Sequence, residues 1–150
     1  MTVGEFCTRE VVVVGKHNNI VEAARLMRDY HVGDLVVVEK KNGEQVPVGI
    51  LTDRDIVVGV IAVEPDRMHS LLVGDVMSLE LMMAQEDENL SDVLKRMSSS
   101  GVRRIPVINR AGGLEGILSI DDCIEQVCEE MTDMVKLITV QRKRESLQRS

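Results

Sequence analysis

Two heptapeptides hold the residues best suited to chemistry: Gly49-Ile50-Leu51-Thr52-Asp53-Arg54-Asp55 and Gly116-Ile117-Leu118-Ser119-Ile120-Asp121-Asp122. Each runs from an apolar, strand-like stretch to a hydroxyl and, three residues on, a carboxylate. At a helix start this spacing is a capping box, in which hydroxyl and acid satisfy each other's backbone amides. The helix dipole favours the acid there as well. The same atoms also suit a nucleoside phosphate. Free amides at a helix N-terminus receive phosphate, and a carboxylate close by accepts hydrogen bonds from both hydroxyls of a ribose. Arg54 stands between hydroxyl and acid in the first heptapeptide, where it would add positive charge to an anion seat. Arg103 and Arg104 follow Gly101-Val102, at an element edge open to a ligand or simply to solvent. The residues alone leave both readings open.

The elements that position these groups occur twice. Shifting the chain by 70 residues lays Val3-Gly4-Glu5-Phe6-Cys7-Thr8 on Val73-Gly74-Asp75-Val76-Met77-Ser78. It also lays His31-Val32 on Gly101-Val102, and Leu35-Val36-Val37-Val38 on Ile105-Pro106-Val107-Ile108. Three extra residues in the turn around Lys41-Asn42-Gly43-Glu44 change the shift to 67, which brings Gly49-Ile50-Leu51-Thr52 onto Gly116-Ile117-Leu118-Ser119. A hairpin turn is where a repeat tolerates an insertion. Each copy reads as a short apolar stretch (Val11 to Val14, Leu81 to Ala84), a helix, two strands joined by an Asn/Gly turn, and a second helix. Asn18 or Asn19 and Asn89 are predicted caps of the first helices; Thr52 and Ser119 are predicted caps of the second. The expected fold is α/β (α+β), two βαββα units packed face to face about a pseudo-two-fold axis. Residues 1–65 are assigned to repeat 1, 66–135 to repeat 2, and 136–150 to a basic helical extension or tail. Units of this size bury too little surface alone, so the two are expected to share one module, with a linker over 58–70.

Composition removes several classes of function. The net charge is −7, from 25 acidic and 18 basic residues, which argues against nucleic acid as a partner. The charge is uneven, because residues 136–150 hold five basic residues and one acid. The chain has one Phe, one Tyr and no Trp, so it offers no aromatic sandwich for a base. Cys7, Cys123 and Cys128 show neither disulfide nor metal-ligand spacing, and the three histidines are scattered. No nucleophile–base pair is visible, and neither catalytic residues nor a metal site are expected. Glu5 and Arg9 interrupt any secretion signal, and the Val11–Val14 run is too short to span a membrane. A cytoplasmic protein is expected. Nine methionines, among them Met77, Met82, Met83, Met97, Met131 and Met134, are expected as soft core fillers.

Both Gly-apolar-apolar-Thr/Ser-x-x-Asp segments, the two helix-to-strand segments and the two Val-Gly-acid lead-ins resemble the paired CBS (cystathionine-β-synthase) domain, or Bateman module, of the stand-alone bacterial or archaeal type. The resemblance covers residues 1 to about 130. It implies a regulatory module that binds AMP, ADP, ATP or S-adenosylmethionine between its repeats and signals to an effector protein. It implies Thr52 with Asp55 and Ser119 with Asp122 as hydroxyl–carboxylate pairs, and Val12, Val13, Met82 and Met83 near the base. Arg54 in one copy and Asp121 in the other predict the stronger site at Thr52/Asp55, aided by Arg103 or Arg104. Gly33 and Asp34 stand where the second copy has Arg103 and Arg104; Asp34 would face a ligand hydroxyl or weaken the anion seat. The alternative function is a structural or interaction module whose clefts hold no nucleotide. Ile120, Ile124, Val127, Cys128, Met131, Val135 and Ile138 form one apolar stripe, longer than one repeat's core requires, and predict a homodimer.

Overall fold

A computed structural model describes residues 1–79 and 81–149. Two three-stranded sheets carry the chain. The first has the order β1 (Val13–Gly15), β2 (Asp34–Lys41), β3 (Glu44–Thr52), and the second the order β4 (Ala84–Gln85), β5 (Arg104–Ile108), β6 (Leu114–Ser119). In each, the first pair is parallel and the second antiparallel. A parallel pair needs a crossover, supplied by the helices α2 (Ile20–Tyr30) and α5 (Leu90–Ser100). The βαββα expectation therefore holds in both copies.

Local chemistry sets the helix ends. The Asn19 side chain accepts from the Glu22 amide at 2.9 Å, and that of Asn89 from the Ser91 amide at 2.9 Å. Ile20, Ala23 and Met27 bury the stripe of α2; Leu90, Val93 and Met97 bury that of α5. Both helices end in a left-handed residue, His31 (φ 55°) and Gly101 (φ 65°). This explains why the repeat aligns a histidine with a glycine: both are C-terminal caps. The Asn42-Gly43 turn has φ of 51° and 80°, the geometry that closes a two-residue hairpin. That tight turn lets β2 and β3 pair out to Lys41 and Glu44.

The remaining helices are α1 (Val3–Phe6), α3 (Asp53–Ile56), α4 (Val73–Val76) and α6 (Ile120–Arg149). After α3 the chain makes a wide π-type turn over Val57–Ile61 and a 3-10 turn over Pro65–Arg67, where a linker was expected. The short lead-in helices cross over. Val3 and Phe6 of α1 lie in the core of the second sheet with Val93, Met97, Ile105 and Leu118. Val73 of α4 lies in the first core with Val14, Ala23, Leu35 and Leu51. Backbone bonds repeat the exchange: Gly4 N to Glu86 O and Gly74 N to Lys16 O are both 2.9 Å. Thr8 pairs with Ile117, and Ser78 with Ile50. The residues in these pairs are related by the same shifts that relate the repeats, so the pseudo-two-fold axis is built from backbone contacts.

Two methionine expectations need correction. Met97 is fully buried, but Met131 and Met134 are 60% and 63% exposed. Both lie on α6 where the helix has run past the body, so no core is there to fill.

Candidate functional site

Thr52 caps α3. Its hydroxyl accepts from the Asp55 amide at 3.0 Å, and the Asp55 carboxylate accepts from the Thr52 amide at 2.9 Å. The capping box is complete, and both side chains are half-buried. The second copy is wired differently. Ser119 is buried, and its hydroxyl accepts from the Asp122 amide at 3.3 Å. The Asp122 carboxylate accepts instead from the Thr8 hydroxyl at 3.0 Å. Thr8 belongs to the lead-in of the first repeat, so the two repeats are joined at this carboxylate.

The strand register places the charged residues. Asp34 opens β2 opposite Thr52, and Arg104 opens β5 opposite Ser119. Asp34 and Arg104 are equivalent positions of the two repeats. They meet across the pseudo-two-fold axis, with Arg104 Nη1 at 3.3 and 3.2 Å from the two Asp34 oxygens. Arg103 donates to Asp121 at 2.7 Å on the exposed side. The negative charge of Asp121, expected to repel phosphate, is thus countered by a neighbouring guanidinium.

Two hollows meet along residues 10–12. A small one of ≈ 170 Å³ is lined by Thr8, Val12, Asp34, Arg104, Ser119 and Asp122 among others. It opens beside a groove of ≈ 740 Å³ lined by Val12, Val13, Leu26, Tyr30 and Val32. The structure therefore brings Val12 to the Ser119/Asp122 pair and places Val13 in the adjoining groove. Met82 and Met83 line a pseudo-symmetric hollow of ≈ 590 Å³ with Ile50, Val102 and the same Arg104. Arg54 and Asp55 line a separate groove with Glu64, Arg67 and Asp75, and Arg103 lines none of these hollows. Thr8 is a polar contributor that motif reading passed over; its alignment with Ser78 at the end of each lead-in was the available signal.

Neither the Cys7 nor the Cys123 thiol is activated. Burial pushes the Cys7 thiol up, only partly offset by the Arg9 guanidinium, and burial followed by Asp122 pushes the Cys123 thiol up. Among the described residues no group of three or more His, Cys, Asp or Glu side chains is placed to hold a metal ion, and no helix is long and apolar enough to cross a membrane.

The CBS domain family model matches residues 3–61 and 73–129. An uncharacterized protein of Methanopyrus kandleri is 32% identical over 125 residues, which are 83% of this chain and 62% of that protein. The CBS domain-containing protein YhcV of Bacillus subtilis is 33% identical over 130 residues, 86% of this chain and 88% of that protein. Among solved structures, a CBS-domain containing protein from Agrobacterium tumefaciens superposes with a TM-score of 0.70 at 27% identity, covering 84% of this chain and 98% of that one.

Proposed function

Since this chain belongs to the CBS-domain family, we propose that it is a non-catalytic, ligand-sensing regulatory module. Its ligand contains an adenosine: AMP, ADP, ATP or S-adenosylmethionine. The ligand occupies a cleft between the repeats, and the resulting change of shape is read by a partner protein. Two copies associate through the helices that follow β3 and β6, where Val57, Val58, Ile61 and Ile124 are exposed.

The observation that carries this reading is the joined hollow that unites Val12 of one repeat with Ser119 and Asp122 of the other. A nucleoside phosphate needs an apolar wall for the base, a carboxylate for the ribose and a cation for the phosphate. Val12 and Val13, Asp122, and Arg104 would supply these in two hollows that share Val11 and Val12. The combined volume falls in the range of small-molecule sites. This ranks the Ser119/Asp122 cleft above Thr52/Asp55, because the two arguments for the latter lose their force. Asp121 is paired with Arg103, and Arg54 lines a groove that Val12, Val13, Met82 and Met83 do not line.

Titration calorimetry with AMP, ADP, ATP and S-adenosylmethionine tests the proposal. One of them should bind the parent chain. Asp122→Asn should weaken it by about 1.5 to 3 kcal/mol, the scale for a hydrogen bond to a charged group, and Asp55→Asn should change it little. Equal losses would return the site to both clefts. Heat from none of the four would leave the second reading, an interaction module, which is favoured at Thr52/Asp55 by the mutual satisfaction of the two side chains without a ligand.

A further inference from the structure

The family match ends at residue 129, yet α6 continues to Arg149 as part of a 30-residue helix. At roughly 1.5 Å per residue this rod is about 45 Å long, and its second half leaves the body. Ile124, Val127, Met131, Met134 and Ile138 follow one another at spacings of alternately three and four, the seam of a coiled coil. Each is between 43% and 63% exposed, so nothing among the described residues covers the seam. A helix showing that much apolar surface to water has little reason to persist alone.

The charges select what covers it. From Asp121 to Asp133 the helix has six acids and no base; from Lys136 to the end it has five bases and one acid. Two such helices side by side and parallel would set acid on acid and base on base. Antiparallel, each acidic half lies along a basic half. The seam fits the same arrangement: with Met131 facing Met134 of a second copy, Val127 faces Ile138. Residues 121–133, with the six acids, then lie along residues 132–144 of the second copy, which hold Lys136, Arg142, Lys143 and Arg144.

We propose that the extension of α6 is a self-recognition element that binds the α6 of a second copy antiparallel, selected by this division of charge. It rests on the two-copy reading above but adds the orientation and the residues that specify it. The contact is isologous, so one helix serves both subunits and the assembly closes at two.

Sedimentation of the full chain tests it, with three variants. One reverses the acidic half (Glu125→Lys, Glu129→Lys, Glu130→Lys), one the basic half (Arg142→Glu, Lys143→Glu, Arg144→Glu), and one carries both sets. All these side chains are exposed, and circular dichroism checks that the fold is kept. The parent should be dimeric. Each half-reversal should raise the dissociation constant about tenfold or more, and the combined variant should return to the parent value. A parent that is monomeric overturns both this inference and the two-copy reading. A dimer indifferent to both half-reversals overturns the antiparallel pairing alone.

Discussion

Asp34 and Arg104 open equivalent strands, and the pseudo-two-fold axis brings them within 3.2 Å. A repeat with identical residues here would place like charges face to face; the divergence to Asp and Arg turns that repulsion into a pair. Both side chains are partly exposed, so the pair contributes only about 0 to 1 kcal/mol to stability. Its consequence lies in the cleft. A ligand phosphate must compete with Asp34 for Arg104, whereas the sulfonium of S-adenosylmethionine would favour Asp34. Asp34→Asn should therefore tighten binding of AMP relative to neutral adenosine, and Arg104→Ala should weaken it, with melting temperatures nearly unchanged. Calorimetry on AMP and adenosine reads the difference; shifts of the same sign in the two variants would sink the idea.

Among the elements, the lead-in segments do the most for the fold relative to their length. The turn after each lead-in helix lies against the opposite repeat's last strand, and the glycine of each heptapeptide is what lets it approach. A Cβ at Gly116 would sit 2.6 Å from the Thr8 carbonyl oxygen, and one at Gly49 would sit 2.8 Å from that of Ser78. The motif glycine is thus a packing requirement of the crossover, separate from any ligand. Because the obstructing atoms are backbone, Gly116→Ala should cost about 1 to 3 kcal/mol, the usual penalty of overpacking. Urea denaturation measures it. A loss below about 0.5 kcal/mol, the scale of an ordinary surface substitution, would show that the strand and lead-in separate easily.

At the scale of the whole molecule, the exchange of lead-ins makes each core a property of both repeats. Phe6 and Val3 close the core around Met97 and Leu118, and Val73 closes the one around Leu35 and Leu51. Neither repeat keeps its core when the other unfolds. Calorimetric heating should therefore show one cooperative transition whose van't Hoff and calorimetric enthalpies agree. Two resolved transitions would mean that residues 1–65 and 66–135 behave as separate domains.

Much of this architecture is legible in the chain because it is encoded locally. The helical stripes, the asparagine caps, the Asn42-Gly43 turn and the hydroxyl–acid spacing each depend on residues a few positions apart, and the repeat shows them twice. The shifts of 70 and 67 residues relate the two sets of crossed backbone pairs to each other, but no shift says which residues pair. The contacts between repeats were not legible. That Val12 meets Ser119 and Asp122, that Thr8 holds Asp122, and that Asp34 faces Arg104 all follow from how two similar units dock. Docking buries apolar faces whose attraction is non-directional, so the axis relating the units is settled only when both sheets and both lead-ins have packed. The sequence by itself determined two copies of a strand–helix–strand–strand–helix unit and the hydroxyl, carboxylate and arginine residues proposed to hold a ligand. Only the tertiary structure decided which of those residues share a cleft.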